Sequence, residues 1–527
     1  MPYKKLRLIL GDQLNENHSW FAERDAETLY VLMEILPETA YVKHHIQKVV
    51  GFFLAMRHFA ERLDSQGFNV KYFQLDDANN LQDFEKNIHA LVETHGVETF
   101  EYQLPDEYRL DVEFKTMAEN LRNSHSKGKN TEGSIFETNV VDSEHFLSAR
   151  NELADLFKGK KTYLMETFYR KARVKYNLLM EEDGKTPLTG RWNFDADNRA
   201  KLPKNQPIPP PFQRFRDVTD VVNLLTNHKV ETIGRIRSDR FDWCVTRQEA
   251  LDLLDHFCTF RLRLFGTYED AMTQRDALVF HSKLSFALNI KLISPLEVVQ
   301  KTVAYWQSHQ ETITISQIEG FVRQIIGWRE YMRGVYWAQM PRFATLNYFD
   351  HQAALPSWFW TGDTQMNCLK NCINNSLDNA YAHHIQRLMV TGGFSLLLGV
   401  SPDELDAWYL GIYMDAIEWV EITNTRGMSQ FADGGLVGTK PYVGSANYID
   451  KMSDYCQNCH YDKSKRHGEK ACPFNSLYWD FYHRHTDKLA KNPRIGMAYQ
   501  VIKKMDETEL EKTLAQAKHY KTTIETL

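Results

Sequence analysis

Three cysteines stand close together near the C-terminus as Cys456-x2-Cys459-x12-Cys472, with Pro473 directly after the last. Cys368 and Cys372 lie upstream. A C-x-x-C pair lets two thiolates point at one centre with little chain strain, and a distant cysteine can complete a set of four. Four thiolates suit either Zn²⁺ or an iron–sulfur cluster, and spacing does not separate the two. Spacing also does not choose between Cys368 and Cys372, which stand four apart and on a helix could both face the site. Cys244 and Cys258 read as ordinary core thiols. A second constellation is the adjacent pair His383-His384. Imidazole exchanges a proton near neutral pH, which suits general acid–base work.

These groups need elements to hold them. Over the first ~140 residues two periods alternate. Short β-branched or aromatic runs at 6–10, 28–34, 69–75, 97–102 and 134–139 read as strands. Helical patterns at 44–66, 79–95 and 108–123 separate them. Strands alternating with helices predict a doubly wound parallel sheet, whose ligands sit beyond the carboxyl ends of the strands. Gly11-Asp12-Gln13 follows the first strand and so falls there. It is not G-x-G-x-x-G, so no standard dinucleotide site is indicated. Residues 181–212 hold six of the chain's sixteen prolines and read as an extended connector that packs through Trp192 and Phe194. Beyond ~212 helical patterns dominate, at 247–264, 268–288, 295–309, 316–338, 376–399, 402–422 and 497–518. The expected layout is an α/β domain over 1–140, a connector over 141–211 and an all-α domain over 212–527.

The chain has 527 residues, with 43% hydrophobic and 25% charged, enough to bury a core. Seven cysteines make no disulfide framework. No apolar run reaches the ~18 residues of a membrane span, and the start is too short for a secretory core, so a soluble cytoplasmic protein is expected. The net charge is −6. Residues 76–113 carry eleven acidic and two basic side chains, whereas 451–504 carry eleven basic and five acidic. That basic segment permits a phosphate-binding face, though solvated surface explains it too.

Ten segments in order carry a family resemblance: ILGDQL (9–14), RWNFDADNR (191–199), FGTYEDAM (265–272), HSKLSFALN (281–289), IIGWREYMRG (325–334), WTGDTQMNC (360–368), YAHHIQRLMV (381–390), MSQFADGG (428–435), VGTKPY (437–442) and MSDYCQNC (452–459). The chain resembles the iron–sulfur bacterial cryptochromes and photolyases, the prokaryotic (6-4) photolyase group, over essentially its whole length. The resemblance implies an α/β antenna domain and a helical domain that holds FAD. It implies a [4Fe–4S] cluster on Cys368, Cys456, Cys459 and Cys472. For FAD it points to Ser282, Leu284 and Ser285 near the phosphates, to Trp328, Arg329 and Glu330, and to Asp415 beside the isoalloxazine, with Glu421 and Asn424 after it. On one regular helix these last three would diverge, so they share a pocket only if the helix ends before Glu421.

For the antenna the resemblance implies 6,7-dimethyl-8-ribityllumazine, with Gly11, Asp12, Gln13, Glu34 and Glu38 around it. It places His383, His384 and Tyr442 at a lesion pocket and makes Trp360, Trp408 and Tyr409 electron-relay aromatics. Lys48, Lys463, Lys465, Arg466 and Arg484 become candidate contacts to DNA. The implied activity is light-driven repair of (6-4) photoproducts in UV-damaged DNA by electron transfer from excited, reduced FAD, in a monomer without a membrane partner. A blue-light receptor with the same cofactors and a cyclobutane-dimer photolyase are the alternatives.

Overall fold

The structure, a computed structural model, describes residues 3–126 and 136–527. Five strands form one wholly parallel sheet: β1 (Lys5–Leu8), β2 (Thr28–Met33), β3 (Asn69–Phe73), β4 (Thr99–Gln103) and β5 (Glu137–Val141). Their order is β3-β2-β1-β4-β5. Leu8 lies opposite Val31 on one side and Tyr102 on the other. The strand expected at 134–139 is β5, and residues 134 and 135 of that run lie outside the described residues.

Parallel neighbours need crossovers, and α1 (Ile46–Ser65), α2 (Phe84–His95) and α3 (Tyr108–Ser126) provide them. The Asp83 side chain caps α2 by accepting from the Lys86 N–H, and Gly96 at φ 65° ends it. Leu6, Leu8, Val31 and Phe100 of the sheet share a core with Ile88, Phe114 and Leu121 of the helices. The winding reverses between β1 and β4, so the topological switch point lies at the carboxyl ends of those two strands.

The chain divides into two compact units that are not contiguous in sequence. One is Met1–Leu147, Phe212–Asp255 and Leu284–Val298; the other is Ser148–Pro211, His256–Lys283 and Val299–Leu527. The boundaries expected at 140 and 211 do not match this division. Residues of 212–255 and 284–298 pack on α1: Phe52 meets Phe286 at 5.5 Å between ring centroids, and Trp243 meets Phe286 at 5.9 Å. The Trp243 indole N–H also donates to Gln47 Oε1 at 3.1 Å. Such contacts follow aromatic anchors rather than a strand period, so periodicity does not announce them.

Residues 148–211 of the connector belong to the helical unit. There the Phe194 N–H donates to Glu319 Oε2 at 3.0 Å, and the Arg173 guanidinium stands 5.4 Å from the Trp192 ring.

The helical unit is threaded by three π-helical turns. The first, Arg323–Arg329, joins α4 (Ile315–Val322) to α5 (Glu330–Gln339). The second, Gln386–Gly392, leads into α7 (Gly393–Leu398), after α6 (Asn367–Asn379) has ended. The third, Thr423–Ser429, continues α9 (Glu418–Ile422), which follows α8 (Pro402–Ile412). The second and third turns touch: a Cβ on Gly392 would lie 2.0 Å from Ser429 Oγ. Only glycine allows that approach. Then come α10 (Ala446–Met452), α11 (Pro473–Arg484), α12 (Gly496–Lys504) and α13 (Glu507–Thr522).

One expected helix is largely missing. Of 268–288 only Ser285–Asn289 is helical. Side chains take the backbone donors of the loop before it: Asp276 accepts from the N–H groups of Leu278 and Val279, and Asp454 from that of Gln274. No helix among the described residues is long and apolar enough to cross a membrane.

Candidate active site

The chemistry-bearing residues gather at three places, two in the helical unit and one at the sheet edge. The first is built around His383 and His384. Ala380, at φ 49°, ends α6 in the left-handed region, and the chain re-enters a helix at His384. This break turns both imidazoles toward the 269–281 loop. His281 lies flat on His383, with centroids 4.8 Å apart and planes 12° from parallel, and packs edge-on to His384 at 5.5 Å.

Their protonation differs. His281 Nε2 stands 3.1 Å from the Glu269 carbonyl, which makes that nitrogen the N–H donor. Burial and the His384 charge press its pKa to about 3. Burial, with His281 and His384, also holds His383 well below 6.5, and neither of its ring nitrogens has a hydrogen-bond partner. His384 is different: its side chain is 45% exposed, and Nε2 lies 3.3 Å from Asp270 Oδ1. Desolvation opposes its charge, yet the Asp270 hydrogen bond and the carboxylates of Asp270 and Glu269 raise its pKa above 6.5. Of the three imidazoles, His384 is the one whose surroundings favour the charged form.

Burial raises Glu269 to about 7. Arg199 Nε lies 3.9 Å from Asp270, and the Tyr442 phenol, raised by burial, feels the charges of Arg199 and Asp195. His281 went unassigned in the sequence reading, although it opens the quoted HSKLSFALN segment; its neighbour His383 is a hundred residues away in sequence.

The second place is a cavity lined by Cys368, Cys456, Cys459 and Cys472 together with Met366, Ile449 and Phe474. Cys368 comes from the first turn of α6, Cys456 from the turn Tyr455–Asn458, and Cys472 is the N-cap of α11 with Pro473 at its first position. All four are free thiols. Burial pushes the Cys368 thiol well up and those of Cys456 and Cys472 to about 12, so thiolates there need a cation beside them. Four converging thiols in an apolar wall fit a [4Fe–4S] cluster. Cys372 does not line the cavity; its sulfur faces the Tyr455 hydroxyl at 4.0 Å.

The third place is the carboxyl edge of the sheet. Gly11, Asp12 and Gln13 lie at the switch point. Gln13 is buried, accepting from the Leu10 N–H and donating to the Gln103 carbonyl. The Asp12 carbonyl accepts from Lys291, whose ammonium also pairs with Asp106 at 2.7 Å. Gln103, at the end of β4, is fully buried, and neither atom of its side-chain amide has a partner. It is the sort of orphaned group a ligand edge would satisfy, and the sequence reading missed it.

A family model described as deoxyribodipyrimidine photo-lyase-related protein matches residues 7–243. A (6-4) photolyase of Agrobacterium fabrum (strain C58 / ATCC 33970) is 40% identical over 512 residues, covering 95% of this chain and 96% of the relative. The chain belongs to the photolyase family. Among solved structures, a bacterial class III photolyase from Agrobacterium tumefaciens aligns with a TM-score of 0.55 at 15% identity, over 96% of this chain and 98% of that one. A cryptochrome of Synechocystis sp. PCC6803 aligns with a TM-score of 0.53 at 13% identity, over 97% and 94%. These likenesses bear on the fold: a parallel five-stranded sheet and a helical region in photolyase/cryptochrome architecture. Membership of the photolyase family implies FAD as cofactor.

Several residues expected at photolyase sites do other work. Glu34 is saturated: Arg57 grips it at 2.7 and 3.1 Å, and the Tyr72 hydroxyl and Leu75 N–H donate to it. Glu38 is paired with Arg109 at 2.8 and 2.7 Å but stays 28% exposed. Lys48 is buried within α1, so it presents no ammonium to a phosphate outside. Arg484 turns inward and donates to the Leu397 carbonyl at the end of α7, while Lys463, Lys465 and Arg466 remain at the surface. Asn424 is spent on the Val420 carbonyl.

Asp415 and Glu421 are not on one helix: α8 ends at Ile412, and Asp415 sits in the loop before α9. Asp415 receives Arg387 at 3.0 and 3.2 Å, and burial raises Glu421 well above 4.5. Glu330 accepts from the Ser148 N–H and hydroxyl, Arg329 lies beside it at 3.4 Å, and Trp328 packs edge-on to Tyr331. Ser282 and Leu284 belong to the loop before the short helix that Ser285 opens. Trp408 and Tyr409 are buried neighbours 5.4 Å apart, Phe359 meets Trp408 at 5.0 Å, and Trp360 next to it is 40% exposed.

Proposed function

We propose that this chain is a light-driven DNA-repair enzyme acting on (6-4) pyrimidine photoproducts. The observation that carries the reading is the 40% identity over 95% of the chain to a (6-4) photolyase, and the pocket supports it: His384 stands 3.3 Å from Asp270 beside the stacked rings of His281 and His383. FAD, once bound and reduced, supplies an electron to the lesion under light. The other requirement is a proton delivered to the lesion as it gains that electron, and His384 holds one.

The Asp270 carboxylate favours the charged form of His384, whereas burial disfavours it at His281 and His383, so those two compete poorly for the proton. Lys463, Lys465 and Arg466 meet phosphates, which gives affinity without sequence preference. A damaged step unstacks more cheaply, so the lesion supplies specificity. Cys368, Cys456, Cys459 and Cys472 hold a [4Fe–4S] cluster. Gly11, Asp12, Glu38 and Gln103 face a lumazine antenna. Ser282, Arg329 and Asp415 serve the FAD site, and Trp360, Trp408 and Tyr409 relay electrons to it. The protein acts as a cytoplasmic monomer.

The deciding experiment illuminates purified protein with DNA carrying a (6-4) photoproduct or a cyclobutane dimer and quantifies each restored base pair. Restoration of the (6-4) product alone is expected. His384→Ala should keep FAD and bind the lesion nearly as well, yet repair about 100-fold more slowly, the scale for losing a general acid. The pH profile has a definite sign. His384 is charged below its raised pKa and loses its proton as pH rises through it, so repair should fail on the alkaline side. Asp270→Asn should move that failure to lower pH. Repair of cyclobutane dimers only, or an unchanged rate in His384→Ala, would sink the proposal.

A further inference from the structure

Two of the segments that form the histidine pocket are held by a third. The first, 269–274, carries Glu269 and Asp270. The second, 383–387, carries the histidine pair. The third, 452–455, runs directly into Cys456. The Met272 N–H donates to the Met452 carbonyl at 2.9 Å. The Thr273 hydroxyl and the Gln274 N–H donate to the two carboxylate oxygens of Asp454 at 2.7 and 2.9 Å.

On the other side, Gln386 Nε2 donates to the Tyr455 hydroxyl at 3.0 Å, while Gln386 Oε1 accepts from the His383 N–H at 3.2 Å. Asn367, next to Cys368, donates to the Tyr455 carbonyl at 2.7 Å and to Gln274 Oε1 at 3.3 Å. Tyr455 and Gln386 are buried, so releasing either bond strands a polar group and the network has one low-energy arrangement.

We propose that residues 452–455, tied to Asn367, form a positioning strap through which the four-cysteine site fixes Asp270 against His384. The inference rests on the histidine pocket and the cysteine site having the roles given above. It assigns the cysteine site a part in repair that needs no electron to pass through it. Cys456 directly follows Tyr455 and Cys368 directly follows Asn367, so whatever these cysteines hold clamps Tyr455 and Asn367 in place.

His384 is the sensitive end. Asp270 and Glu269 face it from the 269–274 segment, Arg387 from its own helix, and the rings of His281 and His383 pack on it. Its contact with Asp270 is a single one of 3.3 Å. A shift of about 1 Å there loses the hydrogen bond, and displacements of that size can cost about 100-fold in rate.

The test uses full-length protein carrying FAD and iron, with Thr273→Val, Tyr455→Phe and Asp454→Ala. Iron per chain, FAD absorbance and affinity for lesion DNA are measured first. Single-turnover repair is then followed against pH, and histidine ring signals are titrated by NMR. Variants that keep iron and FAD should repair about 10-fold more slowly. Their alkaline limb and the His384 midpoint should both move to lower pH, by the same amount. Parent-like titration and repair in those variants would overturn the strap. Should Asp454→Ala or Tyr455→Phe lose iron, Thr273→Val, which changes no residue of the cysteine loop, decides, with its iron content measured first. Failure of the underlying reading has a different signature: parent protein that does not repair the (6-4) lesion, or whose His384→Ala variant repairs normally.

Discussion

Burial and pairing separate the residues that can do chemistry from look-alikes in the same motifs. Cys368 and Cys372 stand one helical turn apart, and both are buried, yet only Cys368 lines the cavity with the other three thiols. Alanine at Cys368, Cys456, Cys459 or Cys472 should therefore abolish bound iron, whereas Cys372→Ala should retain it, as iron analysis per chain will tell. Glu34 and Glu38 make a second such pair. Removing Glu34 leaves the half-buried Arg57 and the Tyr72 hydroxyl without their partner, which should cost about 2 kcal/mol in chemical unfolding and say little about the antenna. Glu38→Ala should instead lose near-ultraviolet absorbance while FAD stays bound. The distinction was not legible in sequence, because Arg57 and Tyr72 reach Glu34 from other elements. His384 was legible as half of a pair; its charge was not, since Asp270 lies over a hundred residues upstream.

The elements that follow a simple period were the ones a sequence reader could find. All five strands and the three crossover helices lie where alternation of period two and three-to-four places them, within a few residues. The π-helical turns were invisible, because one extra residue per turn leaves the apolar rhythm on each side intact and only shifts its phase. The loop before Ser285 was misread for another reason. Its apolar residues recur at helical spacing, but Asp276 and Asp454 take the backbone donors that a helix would use. At Gly392 two π turns meet backbone to side chain. Gly392→Ala places a methyl 2.0 Å from Ser429 Oγ and 2.6 Å from the Arg387 carbonyl, and backbone cannot swing aside. A loss of about 2–3 kcal/mol, seen as a lower Tm, is expected.

At the scale of the molecule, each compact unit is assembled from three separated stretches of one chain. The sheet unit needs 284–298: the Leu14 N–H donates to the Ile290 carbonyl, and Lys291 neutralises Asp12 and Asp106. A fragment ending at 211 should accordingly aggregate or show no cooperative melt, despite containing the whole sheet, while supplying 212–298 on the same chain should restore a transition. Circular dichroism on the two fragments decides it. The interleaving also bears on biosynthesis. Strands of the sheet leave the ribosome first but cannot close their unit until residue 298 has emerged. By then two of the three stretches of the helical unit are already outside, unfinished and rich in apolar surface. The sheet unit can close once residue 298 is out, but the helical unit must wait for its last stretch, so the nascent chain carries exposed aromatic faces for much of its synthesis. Slower translation past residue 298 would lengthen that exposure for the helical unit alone, and chaperone dependence should concentrate there.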